Sequence, residues 1–393
     1  MRLLVASTRG QGHVRPLLPF VHAARAAGHD VLLAGPPALE PVAVAERIGF
    51  QPVGTADARR LEHVGRMLEG RPMMERITLA TTELFVGSHA RAALPGMLDL
   101  VAAWRPDLVL RETAEGASQI AAEAHGVPVA RAGIGLCSPA EDWWLSIASP
   151  ALDELRGRLG LPADPDAERV LATPVLTQAS PLLDAHQGDP PADVRRFRAA
   201  AGEPAPPPDA WSGAAADAPL VLVTFGTEVP RNGHFPGLYR TVVDALAGRG
   251  LRVLVTTGRD ADPAALGPLP AGVRARRWVP QAAVMPHSAA ILHHGGAGTT
   301  LAGLAAGLPM VVLPLSADQP LNARRVAELG AGIALEGGTA DAARAGEALE
   351  AVLSGPTHRE AAERVAADIA LLPTFDEAPD ALESIAAGAF RPA

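Results

Sequence analysis

Ala290-Ile-Leu-His293-His294-Gly295-Gly296-Ala297-Gly298-Thr299-Thr300 opens as a short apolar strand, turns through glycines, and enters a helical stretch that runs on through Gly307. Glycines let a backbone turn tightly and approach a ligand closely. A helix beginning near Thr299 presents unpaired N–H groups and a partial positive charge, a ready site for an anion. His294 adds a donor that can reach a phosphate oxygen. Taken alone, the same strand–turn–helix also suits a turn in which glycine serves packing only. A second turn of this kind, Phe225-Gly226-Thr227-Glu228, follows the apolar run beginning at Leu220. Its backbone and the Thr227 hydroxyl suit the same diphosphate, and ordinary turn chemistry explains it equally well.

Outward from these turns, strands are expected at Leu220–Phe225, Arg252–Thr257, Val273–Trp278, Ala290–His293, Met310–Leu313 and Gly332–Leu335, with helical patterns between most of them. The first half alternates in the same way. Strands are expected at Leu3–Ala6, Asp30–Gly35, Asp107–Glu112 and Val127–Ala132, and helices at Pro16–Ala27, Glu75–Trp104 and Thr113–His125. Such alternation predicts parallel sheets covered by helices on both faces. Between Glu203 and Pro219 the pattern breaks into Pro- and Ala-rich sequence, which reads as a linker. The expected organisation is an α/β domain over 1–203, a linker over 204–218, a second α/β domain over 219–375, and a C-terminal helix over 376–393. With 393 residues, two cores are the natural expectation. Ligands of doubly wound sheets bind outside the carboxyl ends of the strands, so a shared site is expected in a central cleft that the two domains face.

Composition narrows the chemistry. The formal charge of −9 provides no electrostatic footprint for nucleic acid or an anionic membrane. All 34 basic residues are arginine, which excludes a P-loop lysine and a lysine Schiff base. The lone Cys137 excludes an intramolecular disulfide and a cysteine metal cluster. No leader-like segment precedes Leu3-Leu-Val-Ala6, and no apolar run approaches the roughly 20 residues that span a bilayer. A soluble cytoplasmic protein is expected, with oligomeric state unreadable.

Trp278-Val-Pro-Gln281, His294-Gly-Gly-Ala-Gly-Thr299 and Asp318-Gln319, in that order and spacing, resemble the donor-binding signature of family 1 glycosyltransferases of the GT-B fold, especially bacterial enzymes that decorate antibiotics. Gly10-Gln-Gly-His13 is similar to the N-terminal motif of that family. The resemblance implies roles. Trp278 would stack on a pyrimidine base, the Val279 backbone would read its edge, and Gln281 would support the nucleotide. Gly226, Thr227, His294, Gly296, Gly298 and Thr299 would hold the diphosphate in place of a metal, with no bound cofactor. Asp318 and Gln319, as surface loop residues, would bond sugar hydroxyls. Family members that use UDP-sugars commonly carry Glu eight positions after the phosphate histidine, and here that position is Ala302; a dTDP-sugar donor is therefore favoured over UDP.

The resemblance also makes His13 the general base, and histidine suits that task near neutral pH. Such a base needs an acidic residue on its other ring nitrogen, and Glu112, after Pro106-Asp-Leu-Val-Leu-Arg111, is the candidate. The implied reaction is a single displacement that inverts the anomeric centre, with a hydroxyl of an apolar natural-product aglycone as acceptor. Met67, Met73, Met74, Phe85, Trp143 and Trp144 suit such an acceptor and equally suit a core. A dinucleotide dehydrogenase fails on two counts: Gly10 and Gly12 are followed by Arg15, and the second strand ends Ala34-Gly35-Pro36 without an acid. A sugar-nucleotide epimerase and a non-catalytic binding protein of the same fold stay open.

Overall fold

A computed structural model describes residues 1–136, 138–184, 193–198 and 217–388, with the side chains of all but Met73, Ser138 and Pro139. Cys137 and nearly all of the expected linker lie outside the described residues. The chain divides into two compact units. One comprises Met1–Ala179, Asp184–Ala199 and Leu372–Ala393; the other comprises Ser180–Leu183 and Ala200–Leu371.

The first unit is built on a seven-stranded sheet of β1 (Arg2–Ala6), β2 (Asp30–Gly35), β3 (Gly49–Pro52), β4 (Leu108–Glu112), β5 (Val129–Ala132), β6 (Val175–Thr177) and β7 (Val194–Arg196). All pairs are parallel, in the order β3-β2-β1-β4-β5-β6-β7. Leu3, Leu4 and Val5, and Leu108, Val109 and Leu110, are fully buried, because both faces of a parallel sheet are covered. The C-terminal helix Ala378–Ala386 belongs to this unit. Its Ala378, Leu382 and Ile385 share a core with Phe20 and Phe197, and Phe20 meets Phe375 edge-on with centroids 4.9 Å apart. Truncating Phe20 to alanine there costs about 3–5 kcal/mol.

Strands β3, β6 and β7 are absent from the sequence-based expectation. They form one flank of the sheet and the far end of the other, and β6 and β7 have only three residues each. The expected helix Thr113–His125 begins at Ala117 instead. Residues 113–116 form a loop in which the Glu115 carboxylate accepts from Ala117 N (3.0 Å) and Ser118 N (3.0 Å) and so caps the helix start. The expected helix Glu75–Trp104 is continuous but changes pitch. Met73–Leu79 and Arg91–Trp104 are α-helical, and Ala80–Ala90 between them winds as a wider π-helix.

The second unit carries six parallel strands: β8 (Leu220–Thr224), β9 (Arg252–Thr256), β10 (Val273–Arg276), β11 (Ala290–His293), β12 (Met310–Val312) and β13 (Gly332–Ala334). Their order is β10-β9-β8-β11-β12-β13. Val221, Val223, Val253, Val255, Leu292 and Val311 anchor its core. Ser180–Leu183, expected in the first domain, joins this unit because Arg325 donates to the carbonyls of Leu182 (2.8 Å) and Leu183 (3.2 Å).

Each sheet reverses its winding once, between β1 and β4 in the first and between β8 and β11 in the second. Such switch points are where doubly wound sheets hold ligands. His13 and Glu112 follow and end β1 and β4. The Gly226 turn and the His294 turn follow β8 and β11.

Candidate active site

In the first unit, β1 runs out at Ala6 and the chain turns through Gly10, whose φ of +114° only glycine adopts without strain. The single helical turn Gln11–Val14 then places His13 beside the end of β4. His13 Nδ1 lies 3.2 Å from Glu112 Oε1. Glu112 is fully buried and accepts from Thr8 N (3.1 Å), Thr8 Oγ1 (2.7 Å) and Ala114 N (2.5 Å). Burial alone would push its pKa up, but the charge and hydrogen bond of His13 and the Thr8 and Ala114 donors outweigh it, and the net shift is downward. The carboxylate is therefore held ionised against the histidine.

Arg111 fixes the loop that follows this carboxylate. It is buried, and its Nη1 donates to the carbonyls of Glu112 (3.1 Å), Thr113 (2.9 Å) and Glu115 (2.8 Å). Its pKa is lowered to about 10 by burial and by the neighbouring Arg131, its register partner on β5. It stays a cation, and backbone carbonyls take up its charge.

The π-helix supplies the other wall. Phe85 packs on the His13 ring with centroids 5.4 Å apart, and Trp144 meets Phe85 edge-on at 5.7 Å. His89, on the same segment, has its pKa lowered to about 4 by burial and then by Arg9 and His13. Of the candidate acceptor-facing residues, Phe85 is thus brought to His13, with Trp144 against Phe85. Met74 is largely exposed, and the side chain of Met73 lies outside the described residues.

In the second unit, the helix after β11 spans Ala297–Ala305, two residues earlier than the sequence suggests. Gly298 and Thr299 consequently stand in its first turn. Its N-cap is Gly296, so the cap residue offers no side-chain acceptor to the N–H groups of that turn. The Gly226 turn lies against the His294 turn: a Cβ on Gly226 would come within 2.9 Å of the His294 ring, and one on Gly296 within 2.5 Å. Only glycine at both positions admits the imidazole. The pKa of His294 is lowered to about 4 by burial, against a backbone hydrogen bond at Thr224. It is therefore neutral, with its one N–H given to the Thr224 carbonyl, and is not a cationic clamp. Its Nδ1 is shielded from solvent with no hydrogen-bond partner among the described residues. Thr227 is exposed on the neighbouring turn.

Trp278 stands two residues beyond β10 and is 45% exposed. The Arg259 guanidinium lies over its ring, 4.3 Å from the centroid. Val279 and Gln281 are half-buried, Gln281 as the first residue of a short helix.

The expected surface position of Gln319 needs correction. It is 7% exposed, and its Oε1 accepts from Leu315 N (2.8 Å) and Ser316 N (2.9 Å) while Nε2 donates to Ser316 Oγ (3.2 Å). Its Oε1 is spent on folding its own loop, and one of the two Nε2 protons is used there as well. Asp318 is half-buried, next to Ala317 in the left-handed region at φ +54°, a strained conformation for a residue with a Cβ.

Two domain families, described as the N-terminal and C-terminal domains of erythromycin biosynthesis protein CIII-like proteins, match residues 22–147 and 240–385. L-demethylnoviosyl transferase of Streptomyces niveus is 35% identical over 95% of this chain and 95% of its own. The chain is a glycosyltransferase of the antibiotic-biosynthesis family. Elloramycin glycosyltransferase of Streptomyces olivaceus is 33% identical over 95% of this chain and 94% of its own. A glycosyltransferase of Streptomyces sp. SF2575, crystallised with thymidine diphosphate, superposes with a TM-score of 0.75 at 26% identity, covering 98% of this chain and 99% of that one. The fold of this glycosyltransferase is GT-B.

Sequence reasoning overlooked one buried tie in the glycosyltransferase. Asn322 is 2% exposed and donates from Nδ2 to Gly295 O (2.8 Å) and Asp318 Oδ2 (2.7 Å), linking the glycine turn to the loop after β12. The signal was present: Asp318 and Asn322 are four apart at the start of a helix, a spacing that brings side chains together. Arg259, Arg111 and His89 carried no comparable signal: Trp278 is nineteen residues from Arg259, Arg111 bonds backbone carbonyls that side-chain identity does not reveal, and His89 lies on the π-helix. Among the described residues no helix is long and apolar enough to cross a membrane.

Proposed function

We propose that this glycosyltransferase moves a sugar from a thymidine diphosphate sugar to a hydroxyl of an apolar natural-product aglycone, with inversion and with His13 as general base. The observation that carries the reading is the approach of His13 Nδ1 to the buried, ionised Glu112. A carboxylate there favours the tautomer with the proton on Nδ1 and the lone pair on Nε2, and it stabilises the imidazolium formed when that lone pair takes the acceptor proton. The acceptor oxygen attacks the anomeric carbon, the bond to the diphosphate breaks, and the leaving group carries the electron pair away. Phe85 and Trp144 give the acceptor an apolar surface beside the base.

For the donor, the first turn at Ala297–Thr299, whose N-cap is a glycine, and the Thr227 hydroxyl meet the growing negative charge with fixed dipoles, and His294 shapes the turn between them. No metal or other cofactor is required in this scheme, so a chelator leaves the rate unchanged. Trp278 offers an indole for the base, and Asp318 a carboxylate for sugar hydroxyls. Thymidine is supported by Ala302 on the helix after β11, which offers no acid to a ribose 2′-hydroxyl, and by the thymidine diphosphate held by the SF2575 relative. Incubation with thymidine and uridine diphosphate sugars and a panel of polycyclic and macrocyclic alcohols, read by mass spectrometry and by the anomeric proton coupling of the product, tests the proposal. Transfer with retained configuration contradicts the single displacement.

A further inference from the structure

We infer that Arg259 is a positioning residue for the nucleotide base, acting through Trp278; the inference rests on the donor reading above. Arg259 sits in the turn after β9, next to the strand that leads to Trp278. The turn is rigidly tied: Thr257 N donates to Arg276 O (2.9 Å) at the end of β10, and Thr257 Oγ1 donates to Ala261 O (2.8 Å). Its acids are taken by other arginines, Asp260 by Arg231 (Nε–Oδ2 3.0 Å) and Asp262 by Arg277 (3.3 Å). Among the described residues Arg259 pairs with no carboxylate and instead covers one face of an indole that is 45% exposed.

A guanidinium stacked on an indole fixes the ring and costs little, since it keeps most of its hydration. Fixing Trp278 before the nucleotide arrives removes the rotamer entropy that a loose indole would lose on binding. The pyrimidine then stacks on the opposite face, giving a base–indole–guanidinium order.

The test is calorimetric binding of thymidine diphosphate and of pyrophosphate to the wild type and to R259Q, R259K, W278L and R259Q/W278L. R259Q should weaken thymidine diphosphate about two- to fivefold, the range of an exposed cation–π contact. R259K, which keeps the charge but cannot stack, should recover only part of that loss, pyrophosphate should be unaffected by either, and the R259Q effect should vanish once Trp278 is gone. Unchanged affinity in R259Q overturns the inference. So does tighter binding, which would mean that the guanidinium covers the face the base needs. A loss shared by pyrophosphate and surviving in R259Q/W278L overturns it as well, in favour of a direct phosphate contact. Unchanged thymidine diphosphate affinity in W278L alone would instead remove the donor reading beneath it.

Discussion

Glu112 Oε1 stands 3.2 Å from His13 Nδ1 at the point where the first sheet reverses its winding. The same oxygen accepts from Thr8 N and Thr8 Oγ1, so the carboxylate is held by the loop after β1 as firmly as by its own strand. Glu112→Gln preserves the shape and removes the charge. Steady-state kinetics should show kcat reduced about 10²–10⁴-fold, with the dissociation constant for thymidine diphosphate unchanged. A kcat within a factor of three of wild type would mean that the carboxylate is structural.

Asn322 links Gly295 to Asp318 through one buried amide nitrogen. Asn322→Ala leaves a buried carbonyl without its donor and releases the Asp318 carboxylate, at about 1–3 kcal/mol. The expected kinetic signature is a loss of at least about tenfold in kcat/KM for the sugar nucleotide, where 1.4 kcal/mol is a factor of ten. Thymidine diphosphate without sugar should lose less. Equal losses for both ligands would show that the tie serves the glycine turn alone.

Burial holds two adjacent histidines neutral: His293, with its pKa lowered to about 3, and His294, lowered to about 4. Both lie below the ordinary value of 6.5, so as pH falls from about 6.5 toward 4 the unfolded chain takes up protons that the folded one refuses. Their contribution is fully present above pH 6.5 and is lost in that interval. Glu115 and Glu141, pushed up by burial, contribute with the opposite sign, so the total slope is not the test. His293→Asn keeps an acceptor for Gly295 N, now donating to His293 Nδ1 at 3.1 Å. Urea midpoints between pH 6.5 and 4 should fall less steeply for this variant than for the wild type, and parallel slopes would contradict the assignment.

Ala302 lies half-buried on the helix whose first turn faces the diphosphate in our reading. Ala302→Glu should move the ratio of dissociation constants toward uridine diphosphate, because a carboxylate there can accept from a ribose 2′-hydroxyl that thymidine lacks. A ratio that stays put would detach this position from nucleotide choice.

The parts legible in sequence were those written in continuous apolar runs or in glycine. Leu3-Leu-Val-Ala6, Leu108-Val-Leu110 and the strands of the second unit show themselves because both faces of a parallel strand are buried. The Gly10 and Gly295-Gly296 turns show themselves because no other residue fits. β3, β6 and β7 stayed hidden: Gly-Phe-Gln-Pro, Val-Leu-Thr and Val-Arg-Arg are too short to display a period. Apolar residues at helical spacing between Glu75 and Trp104 do not distinguish an α- from a π-helix, so the rotation that turns Phe85 toward His13 could not be read. Gln319 looked like a surface residue because its partners are backbone N–H groups of its own loop, which composition does not reveal.

In the proposed reaction His13 takes the acceptor proton and has no part in holding the donor. His13→Ala, assayed for transfer to an aliphatic alcohol acceptor and titrated with thymidine diphosphate in parallel, tests this role most directly. Transfer should be lost while the nucleotide binds as it does to the wild type. Turnover retained near the wild-type rate, or nucleotide binding lost together with transfer, would contradict it.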